Sequence, residues 1–69
     1  MIVHIDTLEQ IDGTIVVMSG EDDEGVRYRV GIDRRIAYDL TFAIAADGPI
    51  PCYVEPWQLL GVIPSPLLT

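Results

Sequence analysis

The sequence predicts a small α+β domain, in which an antiparallel sheet of three to four strands packs against one helix. The first half of the chain alternates between apolar and polar residues, which is typical of strands with one face in solvent. Residues 33–46 carry apolar residues at helical spacing between two helix-boundary signals. A chain of 69 residues has room for one core, so we expect a single domain over residues 1–62 and an extended, proline-containing tail over 63–69.

Turn residues divide the first half of the chain into three strands. We expect the first strand over 2–8 and the second over 14–18, with a tight turn at Asp12-Gly13 that tolerates positive φ. The second strand is rich in β-branched residues, which favour strands. The third strand alternates most clearly, with Val26, Tyr28, Val30 and Ile32 on one face and Arg27, Arg29 and Gly31 on the other. This pattern predicts a sheet with one buried and one solvated face.

Residues 33–46 fit two structures, and the boundary chemistry favours the helix. Asp33 can cap the first turn, Gly48 suits the left-handed position after the last turn, and Pro49 follows. The segment also contains four alanines, which favour a helix over a strand. The same residues alternate from Ile36 to Ile44, as a strand would. If they formed a strand, the fold would be a small five-stranded SH3-like β-barrel.

The C-terminal part is expected to add one strand and one short helical turn. The strand covers 50–54, and Pro51 places it at a sheet edge or marks its start. Pro56 suits the first position of a helical turn. The predicted core draws on all these elements and consists of Val3, Ile5, Val16, Tyr28, Val30, Ile36, Leu40, Ile44, Val54 and Trp57.

The chain is strongly acidic, with a formal net charge of -7, four arginines and no lysine. Four consecutive acidic residues, 21–24, lie in the loop between the second and third strands. Because like charges repel at close range, phosphate backbones and anionic membranes are not expected as direct partners. All four arginines lie between residues 27 and 35. We interpret them as partners of carboxylates across the sheet rather than as an RNA-binding patch.

The single cysteine, Cys52, cannot form an intramolecular disulfide, which favours a reducing, cytoplasmic location. The N-terminal residues lack the basic region and the long apolar stretch of a signal peptide. The longest uncharged run, 56–69, is too short and too often interrupted by proline to cross a bilayer. These features predict a soluble cytoplasmic protein.

No motif predicts catalysis, a cofactor or a metal site. The chain has no glycine-rich phosphate loop, no paired cysteines and no nucleophile elbow. Residues 21–24 are consecutive acids, whereas a calcium loop needs alternating acids and a central glycine. His4 and Cys52 are too few to form a zinc site, and neither has an evident catalytic partner. We therefore expect a non-enzymatic protein in which Cys52 is a buried structural thiol.

Two hypotheses for the function remain, and both involve a protein partner. In the first, Glu21, Asp22, Asp23 and Glu24 dock on a basic surface, as in an inhibitor that occupies a nucleic-acid-binding site by charge mimicry. A phage antidefence protein would fit this description. In the second, the chain is a structural or accessory subunit of a homo-oligomer, such as a homodimer, or of a larger assembly. Its apolar C-terminal segment would then dock through Trp57, Leu67 and Leu68, with Trp57 as an anchor instead of a core residue.

Overall fold

The computed structural model of the protein describes residues 1–64 and contains one antiparallel sheet with one α-helix on one of its faces. The elements along the chain are β1 (Ile2–Asp12), β2 (Ile15–Glu21), β3 (Arg27–Asp33), α1 (Arg34–Asp47), β4 (Ile50–Tyr53), a 3-10 turn (Pro56–Gln58) and β5 (Leu59–Ile63). The sheet has five strands in the order β4-β1-β2-β3-β5, and all neighbouring pairs are antiparallel. β4 and β5 form its two edges, so the sheet is open.

The predicted α+β class and the predicted helix are confirmed, whereas the predicted number of three to four strands is wrong. The additional strand, β5, pairs with β3. Residues 59–63 are apolar apart from one glycine and do not alternate, so no local pattern identified them as a strand. The alternative SH3-like barrel is also wrong, because residues 36–44 are helical and the two edge strands do not pair.

β1 is longer than predicted, because two bulges keep it paired with β2 as far as the turn. The register shifts lie within residues 5–7 and 8–10. An extra residue at a bulge changes the face that the following side chains occupy. Ile5 is therefore buried under the helix, as predicted, but Thr7 lies opposite Ser19 on the other side of the sheet.

The turn and cap residues that the sequence singled out lie at a turn and at the two ends of the helix. Gly13 has a φ of 62° in the turn between β1 and β2. The side chain of Asp33 accepts a hydrogen bond from the backbone N–H of Arg35 at 2.9 Å, which caps the first turn of α1. Gly48 has a φ of 79°, and its N–H donates to the carbonyl of Ile44 at 2.8 Å. These local interactions fix where the helix begins and ends.

The core lies between α1 and one face of the sheet, which we call the inner face; the helix-free side is the outer face. The buried core residues are Val3, Ile5, Val16, Met18, Val30, Ile32, Ala37 and Val54. The partly buried residues packed against them include Tyr28, Leu40 and Ile44. Most of the predicted core is therefore confirmed, while Met18, Ile32 and Ala37 were not predicted.

The prediction that Ile36 and Trp57 belong to the core is wrong, because their side chains are 57% and 79% exposed. In α1 only Ala37 is fully buried, so the apolar stripe of the helix is wider than its contact with the sheet. Ile36 lies on the flank of that stripe. Trp57 belongs to the 3-10 turn that leads to the edge strand β5 and does not reach the core.

We expect Gly20→Ala to destabilise the fold, because β1 passes too close to Gly20 for a side chain. A Cβ atom at Gly20 would lie 2.7 Å from the Cα of Ile5 and closer still to the backbone of His4. The backbone would have to shift, so the free energy of unfolding should fall by about 2–3 kcal/mol.

The matched control is Gly31→Ala, whose new Cβ would lie 3.5 Å from the nearest atom, a methyl carbon of Ile15. This is an ordinary contact, so the free energy of unfolding should change by less than about 1 kcal/mol. Urea denaturation of both variants measures the two changes. Equal stability of the two variants would contradict the close approach of β1 to Gly20.

Candidate functional site

The outer face of the sheet carries an ion-pair cluster centred on Arg27. This side chain donates to both carboxylate oxygens of Asp6, with Nη2–Oδ1 and Nη1–Oδ2 distances of 2.8 and 3.1 Å. It also donates to Glu21 at 3.2 Å and to the hydroxyl of the buried Ser19 at 3.3 Å. Asp6 lies at the first bulge of β1. The guanidinium of Arg27 in β3 therefore connects polar side chains of β1 and β2.

The cluster holds its members in their charged forms. Hydrogen bonds from Arg27 hold the pKa of Asp6 below its ordinary value, and hydrogen bonding to Asp6 raises the pKa of Arg27. The side chains of Arg27 and Asp6 are 30% and 29% exposed, so solvent screens this ion pair less than it would screen a fully exposed one. Arg29 makes a further pair, with its Nε 3.2 Å from Oε1 of Glu9. The predicted pairing of Arg27 and Arg29 with carboxylates is confirmed.

The same prediction is wrong for the other two arginines within residues 1–64. Arg34 lies over the ring of Tyr38, with its Cζ 5.7 Å from the ring centroid. Arg35 is exposed in the first turn of α1. Both residues belong to the helix rather than to the sheet, so the carboxylates of the outer face are out of their reach.

The acidic loop, residues 21–24, uses some of its carboxylates to hold its own structure. Oδ1 of Asp22 accepts hydrogen bonds from the backbone N–H groups of Glu24 and Val26, at 2.9 and 3.0 Å. The side chain of Glu21 already belongs to the cluster around Arg27. These two acidic residues are therefore engaged within the fold and contribute less to a docking surface than the sequence suggested.

Asp23 and Glu24 are the acidic-loop residues that project most into solvent. The side chain of Asp23 is 87% exposed, and its Oδ1 lies 3.2 Å from Nε2 of His4. The side chain of Glu24 makes no ion pair or hydrogen bond with the described residues 1–64. In that part of the chain, no three His, Cys, Asp or Glu side chains are placed to hold a metal ion.

An apolar groove opens on the inner face beside α1, where the helix leaves part of the sheet uncovered. Its volume is about 270 Å³. The residues that line it are Val30, Ile32, Ile36, Leu40, Cys52, Tyr53, Val54 and Gln58. Ile36 is the flanking residue of α1 described above and is mostly exposed, whereas Tyr53 pairs with Ile2 next to the inward-facing pair of Cys52 and Val3, so its side chain points to the outer face. The floor of the groove is thus formed by buried core residues, and part of its wall is exposed to water.

Trp57 belongs to the 3-10 turn whose next residue, Gln58, lines this groove, and we call Trp57 together with the groove the apolar surface. Hydrogen bonds on both sides fix the turn. The backbone N–H of Gln58 donates to the carbonyl of Glu55 at 2.9 Å, and the side-chain oxygen of Gln58 accepts from the N–H of Glu55 at 2.9 Å. The side-chain amide of Gln58 also donates to the carbonyl of Gly31 at 3.4 Å, which ties the turn to β3. These hydrogen bonds hold the backbone of the turn that carries the exposed Trp57.

Cys52 is half-buried in the wall of the groove rather than fully buried as predicted. Its Sγ donates to the carbonyl of Ile50 at 3.5 Å. Burial raises the pKa of the Cys52 thiol, so little thiolate forms at neutral pH. The thiol is therefore a weak nucleophile, as expected of a structural cysteine.

The predicted docking residues divide between the acidic loop and the C-terminal segment, and the structure places them apart. Of the C-terminal residues, Trp57 lies on the apolar surface, and Leu67 and Leu68 lie outside the described residues. Sequence reasoning missed Ile36 and Tyr53 as lining residues. One signal was available: Glu55 is the only charged residue between 48 and 64, an unusually neutral stretch for so acidic a chain.

The chain matches no protein-family model, no curated protein and no solved structure. Among residues 1–64, no helix has both the length and the apolar character needed to cross a membrane. The described residues thus present two candidate surfaces, the acidic loop and the apolar surface.

We expect Asp6→Asn to lower stability at pH 7 by about 1–2 kcal/mol, because it removes a half-buried, charge-assisted pair of hydrogen bonds with Arg27. The pKa of Asp6 is lowered from its ordinary value of 3.8, so the pair contributes fully above that pH. Its contribution is lost as the pH falls below 3.8 and the carboxylate becomes protonated. The difference between the parent chain and the variant should therefore shrink in acid.

The control Asp39→Asn removes the same charge from an exposed position of α1. Its effect on stability should stay below about 0.5 kcal/mol at both pH values. Urea denaturation at neutral and acidic pH measures these differences. A penalty for Asp6→Asn that is equal at both pH values would contradict the ion-pair account.

Proposed function

We propose that this protein is a non-enzymatic interaction subunit that docks onto another protein chain through its apolar surface. The observation that carries the proposal is Trp57, a 79% exposed tryptophan in a hydrogen-bonded turn whose next residue lines an open apolar groove. Buried tryptophans are among the strongest anchors of protein interfaces. Because the backbone of this turn is already ordered by hydrogen bonds, binding would order little more than the side chain of Trp57 itself.

The exposed area supports docking of this kind. Aromatic side chains bury roughly 150–250 Å² each, and the side chain of Trp57 is mostly in water here. Ile36 adds an exposed aliphatic side chain to the same region. At roughly 25 cal/mol per Å² of apolar area, covering these side chains would contribute several kcal/mol to binding, before the entropy of association is subtracted.

The distribution of charge supports the same surface. Ten of the eleven acidic residues and all four arginines precede residue 48, so the segment that carries Trp57 has only Glu55 as a charge. Charged residues are depleted from the centres of protein interfaces, because burying an unpaired charge is costly. The neutral stretch therefore has the composition of an interface centre.

The acidic loop remains a second candidate surface, for a partner with a basic face. The net charge of -7 and the exposed side chain of Asp23 favour it. Such a surface would act mainly by steering the encounter, so its association rate would fall steeply with salt. Docking through the apolar surface depends little on salt. The engagement of Glu21 and Asp22 within the fold is the reason that we place this candidate second.

Site-specific photo-crosslinking in the cells that naturally make the chain tests the proposal. We expect a photoreactive amino acid at position 57 to crosslink to a protein, because Trp57 would be buried in the interface. The matched control is position 42, since Phe42 is also an exposed aromatic residue, at 77%, but does not line the groove. A third variant carries the same group at position 23, in the acidic loop.

Crosslinks at position 57 and none at 42 would support docking through the apolar surface. Crosslinks at position 23 alone would contradict it and favour the acidic-loop candidate. Equal labelling at 57 and 42 would also contradict the proposal, because it would show only non-specific contact of exposed aromatic positions.

A further inference from the structure

We propose that the turn between β1 and β2 is a site of spontaneous covalent modification, at which Asp12 converts to isoaspartate through a cyclic imide with Gly13. The modification is independent of the proposed function, because it needs no partner. The chain contains two Asp-Gly pairs, 12–13 and 47–48. We expect only the first pair to react readily in the folded protein.

The reaction needs only the two residues and water. The amide nitrogen of Gly13 attacks Cγ of Asp12, so a new N–C bond forms, the bond from Cγ to its hydroxyl oxygen breaks, and one water leaves with the amide proton. The five-membered imide then takes up one water. Attack of this water at Cγ breaks the new bond and restores aspartate. Attack at the original main-chain carbonyl breaks the original peptide bond, so the chain then runs through Cβ and Cγ of an isoaspartate.

Gly13 has the conformation and the space that ring closure needs. It is the first of the two turn residues and has a φ of 62°, which glycine adopts without strain. Among residues 1–64 only glycines have a positive φ, so Thr14 does not, and the turn is of type II′. A Cβ atom built on Gly13 would have no other atom within 4 Å. The new ring would therefore meet no crowding at this position.

Neither reacting group is engaged elsewhere in the described residues. Within residues 1–64, the N–H of Gly13 donates to no carbonyl or side chain. The exposed carboxylate of Asp12 makes no hydrogen bond or ion pair with the same part of the chain. Ring closure therefore breaks no interaction of either group.

The second Asp-Gly pair has the same chemistry but a different structure. Asp47 is the last residue of α1, and the N–H of Gly48 donates to the carbonyl of Ile44 at 2.8 Å. This hydrogen bond closes the end of the helix and retains the amide proton that the reaction must remove. Ring closure at 47–48 therefore requires the last turn of α1 to unwind first.

The modification would disturb the contact between the hairpin and the helix. Isoaspartate adds one atom to the main chain at Asp12, which pairs directly with Ile15. The same turn is tied to the start of α1, because the N–H of Arg34 donates to the carbonyl of Thr14 at 3.0 Å. A longer main chain displaces these groups. The purified isoaspartyl form should therefore unfold at a lower urea concentration than the unmodified chain, and an equal midpoint would contradict this coupling.

Peptide mapping of the aged full chain tests the site itself. All four arginines lie between residues 27 and 35, so trypsin places Asp12 and Asp47 in two separate peptides. Isoaspartate has the mass of aspartate, but it differs in chromatographic retention and gives a diagnostic fragment in electron-transfer mass spectrometry. After weeks at a mildly acidic pH, which favours the loss of water, isoaspartate should form at position 12 at least about tenfold faster than at position 47. This ratio corresponds to about 1.4 kcal/mol of activation free energy.

The same measurement in urea and two variants serve as controls. Urea removes the helix, so the rates at positions 12 and 47 should become similar. Asp12→Glu keeps the charge but makes the side chain too long for a five-membered imide, so the product at position 12 should disappear. Asp47→Glu is the matched control and should leave the rate at position 12 unchanged.

Three results would overturn the proposal. Equal rates at the two positions of the folded chain would show that the hydrogen bond of Gly48 gives no protection. A tenfold difference that persists in urea would show that the neighbouring sequence sets the rates rather than the fold. Product at position 12 in urea but none in the folded chain would show that the hairpin itself blocks the reaction.

Discussion

The central constraint on this fold is that a single helix cannot cover one face of its sheet. Five strands spaced about 4.8 Å apart span roughly 19 Å between the outer strand axes, whereas a helix with its side chains is about 10–12 Å wide. α1 has 14 residues and buries only Ala37 completely. A strip of the inner face therefore remains uncovered, and the groove lies there with Ile36 on its helical wall. The main candidate site is a consequence of this mismatch.

Part of the outer face is polar and needs less cover. Arg27 joins carboxylates from two strands and the hydroxyl of the buried Ser19, so this part of the sheet is satisfied by hydrogen bonds, while Ile15 and Leu60 remain exposed beside Gly31. The acidic composition thus serves the fold directly, since Asp6 and Glu21 are partners of that arginine. The net charge of -7 is not by itself a statement about a binding partner.

Local interactions were predictable from the sequence, whereas most long-range ones were not. Asp33, Gly48 and the alternation of β3 act over a few residues, so the helix and that strand could be placed correctly. β5 could not, because its pairing with β3 joins residues about 30 positions apart and leaves no local pattern. The exposure of Trp57 was missed for the same reason: an apolar residue in a sequence does not show whether the sheet has enough cover to bury it.

The central claim is that α1 leaves a strip of the inner face uncovered, so that Ile36 is in water while its neighbour Ala37 is buried. Solvent paramagnetic relaxation enhancement of the methyl groups tests it most directly, because a soluble paramagnetic agent broadens the signals of exposed methyl groups more than those of buried ones. The account predicts strong broadening at Ile36 and little at Ala37. Equal protection of the two residues would contradict it.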